Sequence, residues 1–165
     1  MKKEADMDLN EQLVGYLQDA HAMEQQALQM LHAAVKVARD PQLEALYSGH
    51  VKETEEHLRL VEERLEAKDA SRSLLKDLTG RATALGLGGS LVAQSDTPAR
   101  LVAVAYAFEH FEIASYELLR RVAERVGDHE TVEAADKILV NERQAAAKLE
   151  AAFDLALEVV GVIHA

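Results

Sequence analysis

The chain has no cysteine and no tryptophan, only two prolines, and aromatic side chains at just 4% of its 165 positions. Without cysteine there is no disulfide framework, no thiolate metal site and no cysteine nucleophile. So little proline and aromatic content beside 48% hydrophobic residues points to an all-α domain. Cations are scarce as well: 18 Lys and Arg face 29 Asp and Glu, for a formal charge of -11 and a pI near 5.1. Such a chain repels phosphate backbones, and no Lys/Arg cluster offers a track for nucleic acid or anionic lipid. No apolar run approaches the roughly 20 residues of a membrane span, and the two lysines near the amino terminus have no apolar stretch behind them. The expectation is a cytoplasmic protein with neither nucleic acid nor membrane as partner.

What is present is alanine, leucine, glutamate and valine at helical spacing. Leu13, Leu17, Ala20, Ala27, Leu31, Ala34 and Ala38 alternate steps of three and four, and Glu24 alone breaks the series. Asp40-Pro41 supplies an N-cap and a proline suited to the first helical turn, so a second, antiparallel helix follows at once. Its seam reads Leu43, Leu46, His50, Glu53, His57, Leu60. Thr97-Pro98 repeats the cap signal and opens a third helix through Leu101, Ala105, Phe108, Glu112, Ser115, Leu119, Val122 and Val126. Gly127-Asp128 ends it and caps a fourth helix carrying Val132, Ala135, Leu139, Glu142, Ala146, Leu149, Phe153, Ala156 and Val160.

Between the two hairpins, about 9–67 and 97–163, the segment 68–96 changes character. Ser71 to Leu75 could start a short helix, and Gly80, Gly86, Gly88 and Gly89 punctuate the rest, as in a crossover connection. Gly86 to Gly89 lacks a following Lys-Ser/Thr or a preceding strand, so it does not read as a phosphate loop. Glu24 precedes Asp40 by the same interval that separates Glu112 from Asp128, which gives the halves a pseudo-twofold relation. Two such hairpins joined by one long connection form a single ferritin-like four-helix-bundle domain, antiparallel with one crossover.

Glu24, Glu53, Glu112 and Glu142 thus fall on the apolar seams of four different helices, with His57 one turn after Glu53. A carboxylate facing a bundle core must be protonated, paired or bound to metal. Carboxylate and imidazole donors suit iron, manganese or zinc, and dinuclear bundles use a Glu from two helices plus Glu-x-x-His from the others. The fit is partial, because Glu53 and His57 are four apart and Ala145 and Ala146 follow Glu142. Glu109, His50 or water could complete the set. Tyr16, Tyr47 and Tyr116 lie near the same level as potential hydrogen-bond donors or radical traps. The plainer alternative makes the glutamates boundary residues or partners of Arg100 or Arg143. Glu55, Glu56, Glu62, Glu63 and Glu66 read as a solvated face, and His32, His110, His129 and His164 as surface residues, with His21 a weaker ligand candidate.

The segments Leu17 to Gln26, His50 to His57 and Glu109 to Tyr116, the last reading Glu-His-Phe-Glu-Ile-Ala-Ser-Tyr, resemble the signatures of the YciE/YciF ferritin-like family, bacterial proteins linked to stress responses. The resemblance spans nearly the whole chain. It implies a ferritin-like bundle with an extra short helix, commonly a homodimer, and a dimetal centre mapping onto Glu24, Glu53, His57, Glu112 and Glu142. Ala146 departs from it, since the family tends to show an acidic residue there.

The resulting expectation is a stress-related protein that binds two iron or manganese ions, with zinc as a substitute on purification. Glu53 and one of Glu112 or Glu142 would bridge; Glu24 and His57 would bind terminally. Dioxygen, peroxide or Fe(II) would be the small partner in a ferroxidase or peroxidase-like reaction. The rival expectation is a metal-free helical interaction protein whose glutamates share protons or pair with arginine, and a third is iron storage in a closed shell.

Overall fold

The computed structural model describes residues 8–69 and 97–161. Four long helices and one short one make up these residues: α1 Leu9–Val37, α2 Pro41–Ala67, α3 Thr97–Val126, α4 His129–Ala151 and α5 Phe153–Val159. The segment 70–96, where a crossover with a short helix is expected, and residues 162–165, which include His164, lie outside the described residues.

Each hairpin turn is fixed by its sequence. Arg39 takes a positive φ of 58°, and the Asp40 carboxylate then accepts from the backbone N–H groups of Gln42 (2.7 Å) and Leu43 (3.2 Å), while Pro41 occupies the first helical position, where no N–H is needed. At the second turn Gly127 adopts a φ of 74°. Its N–H reaches Glu124 O at 3.2 Å and the N–H of Asp128 reaches Ala123 O at 2.9 Å, the paired bonds of a Schellman closure. Asp128 simultaneously caps α4 by accepting from the Thr131 N–H at 3.1 Å.

Cross-helix contacts set the directions. Arg64 meets Asp128 and Lys148 meets Glu53, so α2 and α4 are antiparallel. Arg120 with Asp136 and Arg143 with Glu117 make α3 and α4 antiparallel. His21 with Glu62 and His57 with Glu24 do the same for α1 and α2. Leu13 and Leu17 pack with Leu119 and Val122, whereas Leu31 and Ala34 pack with Leu101 and Ala105, so α1 and α3 also run oppositely. It follows that α2 and α3 point the same way, the arrangement that one crossover between two hairpins requires. Among the described residues no helix is long and apolar enough to cross a membrane.

Two details differ from the sequence expectation. The fourth helix does not continue to Val160 but breaks at Ala152, without a glycine or proline, and resumes as α5. The break lets Phe153 pack edge-on against Tyr106 of α3 at 5.6 Å and leaves Ala152 and Ala156 buried in the same apolar cluster. The buried face of α2 is Leu43, Tyr47, His50, Thr54, His57, Val61 and Leu65, rotated slightly from the seam through Leu46, Glu53 and Leu60.

Asp128 links three functions: it caps α4, accepts from Thr131 Oγ1 at 2.7 Å, and holds α2 through Lys68 at 2.8 Å. Asp128→Ala is expected to cost about 2 kcal/mol. Urea unfolding would register this as a lower midpoint with little change in slope; an unchanged midpoint would remove the cap from its assigned role.

Candidate metal centre

Midway along the bundle each long helix turns an ionisable side chain inward: Glu24 from α1, His50 and His57 from α2, Glu109 and Glu112 from α3, and Glu142 from α4. All six are at most 5% exposed. Heptad spacing places His50 and His57 two turns apart on one face, and Glu109 and Glu112 share a face one turn apart. Their donor atoms gather into two groups, Glu24, His57 and Glu142 in one and His50, Glu109, Glu112 and Glu142 in the other, each spanning no more than 4.8 Å. Glu142 belongs to both.

His57 Nδ1 lies 2.9 Å from Glu142 Oε1 and 3.4 Å from Glu24 Oε1, and His50 Nε2 lies 3.0 Å from Glu109 Oε1. These approaches lack the alignment of hydrogen bonds. His57 Nδ1, His50 Nε2, Glu24 Oε2 and both carboxylate oxygens of Glu109, Glu112 and Glu142 are buried without a hydrogen-bond partner. Such a cluster of orphaned acceptors is costly. Close spacing without mutual alignment is what donors have when they face a common point, so this mixed carboxylate and imidazole set fits one or two divalent transition-metal ions.

Surrounding groups orient the donors. The Tyr116 hydroxyl donates to Glu24 Oε1 at 2.5 Å. The Asn141 amide sits 3.1 Å from His57 Nε2, where it can turn either its nitrogen or its oxygen toward the ring and so serve either tautomer. Asn141 carried no sequence signal beyond its place beside Glu142. Thr54, also buried, stands three residues before His57, where the Glu-x-x-His pattern has its glutamate.

Glu53 is placed differently from the other six candidates. Its side chain is 30% exposed, and its carboxylate contacts His50 Nδ1 at 3.1 Å and Lys148 Nζ at 3.2 Å. Ala145 and Ala146 are buried beside Glu142 and offer no donor, while His50 and Glu109 supply donors to the group that includes Glu112. Arg143 pairs with Glu117 at the surface, at 2.7 Å. His21 is buried against Glu62, 3.1 Å away, and His32, His110 and His129 are exposed.

Without a cation, the charges compete. Burial pushes the carboxyls of Glu24 and Glu112 up, and the neighbouring carboxylates push Glu112 further. Burial raises Glu109 to about 8. Burial alone would lower both imidazoles, but Glu109 and Glu53 hold His50 up at about 10, and Glu142 and Glu24 hold His57 at about 9. For Glu142 the burial penalty is outweighed by His57 and Glu109, and its carboxyl is lowered. Chiefly through its bond to His50, Glu53 falls to about 2.

Fold and centre together define an all-α bundle with a buried Glu/His cluster drawn from all four long helices. The chain belongs to the family described as a domain of unknown function, DUF892, whose pattern matches residues 8–158. A protein of known crystal structure from Xanthomonas campestris pv. campestris is similar at 28% identity and a TM-score of 0.75, over 92% of this chain and 94% of that one. The E. coli stress protein YciF shares the fold at 22% identity and a TM-score of 0.73, over 94% of this chain and 98% of its own.

The shifts fix a pH dependence for the metal-free protein. Glu109 goes from its ordinary 4.5 to about 8 and the two imidazoles from 6.5 to about 9 and 10, so the folded state holds protons the unfolded chain has released. Stability from these groups is full below about pH 4.5 and is lost as pH rises through about 8 to 10. After chelation, the urea midpoint should therefore be lower at pH 9 than at pH 5. Glu112→Gln, which removes a carboxylate that burial disfavours, should raise stability at pH 8 by about 1–3 kcal/mol. A variant less stable than the parent in the absence of metal would contradict this account.

Proposed function

We propose that this protein is a ferritin-like, dinuclear metal-binding protein that holds two iron or manganese ions. The observation that carries the reading is the pair of buried donor groups sharing Glu142, in which every carboxylate oxygen but Glu24 Oε1 has no hydrogen-bond partner. In this reading Glu24, His57 and Glu142 hold one ion, and His50, Glu109, Glu112 and Glu142 hold the other. A redox-active pair of ions held there would supply reaction with dioxygen or peroxide, or oxidation of Fe(II) by either of these oxidants. The residues' own part is to bind, to orient and to exclude water. Tyr116 fixes Glu24 by a hydrogen bond and is positioned to hold a proton beside it, and Asn141 holds the plane of the His57 ring. The similarity to a protein named for stress supports a role in a stress response. A homodimer in the cytoplasm completes the proposal.

Elemental analysis after anaerobic Fe(II) loading and desalting tests it. The expected content is two ions per chain for the parent, one for Glu24→Gln and close to none for Glu142→Gln, with circular dichroism checking that each variant stays helical. Mn(II) or Fe(II) at about a hundredfold over the dissociation constant should add about 2.7 kcal/mol of stability. Stabilisation no greater than calcium gives would favour the metal-free bundle, for which the His50 contacts to Glu53 and Glu109 would be a proton-sharing network.

A further inference from the structure

A small cleft opens beside the centre between α2 and α4, lined by Leu46, Tyr47, His50, Glu53, Ala145 and Lys148 among others. These two helices are the least closely packed of the antiparallel neighbours in the bundle. Ala145 contributes to the opening because it presents only a methyl group toward α2. At the mouth stand Lys148, whose side chain is 54% exposed, and Glu53, 30% exposed, joined by their 3.2 Å contact. Tyr47 is fully buried at the cleft wall, and its hydroxyl oxygen has no hydrogen-bond partner. One ring then connects outside to inside: His50 meets Glu53 through Nδ1 at 3.1 Å and Glu109 through Nε2 at 3.0 Å.

We propose that divalent cations reach the buried donors through this cleft, with Glu53 as the carboxylate that first captures them and Lys148 as the latch that competes for Glu53. The inference rests on the dinuclear reading and gives Glu53 a role its rim position suits. A cation replacing the Lys148 ammonium at Glu53 is one imidazole away from Glu109. The buried Tyr47 hydroxyl offers an oxygen to the ion's remaining water as the shell is shed. Lys148, on a flexible four-carbon stem and more than half exposed, can leave without disturbing the core. The cleft has room for little more than a water-sized guest, which suits an ion that has lost most of its hydration and not a larger chelate.

Anaerobic stopped-flow loading with Co(II), followed by its ligand-field absorption, separates this route from the site itself. Glu53→Gln should slow loading about tenfold, and Lys148→Gln should speed it several-fold, with the final cobalt content unchanged in both. Glu63→Gln, an equal charge change on an exposed residue away from the cleft, should load at the parent's rate. Parent-like rates in both cleft variants would overturn the route while leaving the dinuclear centre standing. Loss of a bound ion in Glu53→Gln would make Glu53 a resident ligand and overturn its capture role. No uptake by the parent would overturn the centre and the route together.

Discussion

A carboxylate removed from water needs a proton or a cation, and this bundle buries four of them within one layer of its core. Glu24, Glu109, Glu112 and Glu142 are each at most 1% exposed. Two imidazoles from α2 offset part of the charge, but no arrangement of two rings can satisfy eight carboxylate oxygens. The apolar contacts on α2 and α4 accordingly fall into two clusters, with His50 to His57 and Glu142 interrupting them. Such a core holds its form because both hairpin turns are firmly capped and because alanine and leucine close the bundle above and below. Stability has been spent at mid-height, where dense hydrophobic packing would otherwise be placed.

The four helices, both hairpin turns and the grouping of glutamates at one level were legible because each rests on local chemistry: three- and four-residue periodicity, an aspartate before a helical turn, a glycine after one. Rotation about a helix axis was less legible. On α2, Leu43, His50 and His57 recur every seven residues and belong to either of two seams, one through Leu46, Glu53 and Leu60 and the other through Tyr47, Thr54 and Val61. Both flanks carry two apolar residues and one polar residue, so periodicity alone could not choose. Tertiary packing chose the second, which set Glu53 at the rim and Thr54 inside. The break at Ala152 was illegible for a related reason, since a contact between Phe153 and Tyr106 has no local signature.

The two donor groups are unequal. One combines Glu24, His57 and Glu142 and is held by Tyr116 and Asn141. The other combines Glu109, Glu112 and the shared Glu142 with His50, which touches the cleft. Any pair of ions held here would therefore sit in different fields, the second nearer solvent and richer in carboxylate.

The donors are divided evenly in number between the hairpins but not in kind. The first brings Glu24, His50 and His57, and the second brings Glu109, Glu112 and Glu142. Two copies of the second hairpin placed face to face would bury six carboxylates with no imidazole between them, and two copies of the first would set four buried imidazoles against two buried carboxylates. On charge alone, each half of this chain therefore complements the other better than it complements a copy of itself, and the layer that weakens the core favours the pairing of unlike hairpins.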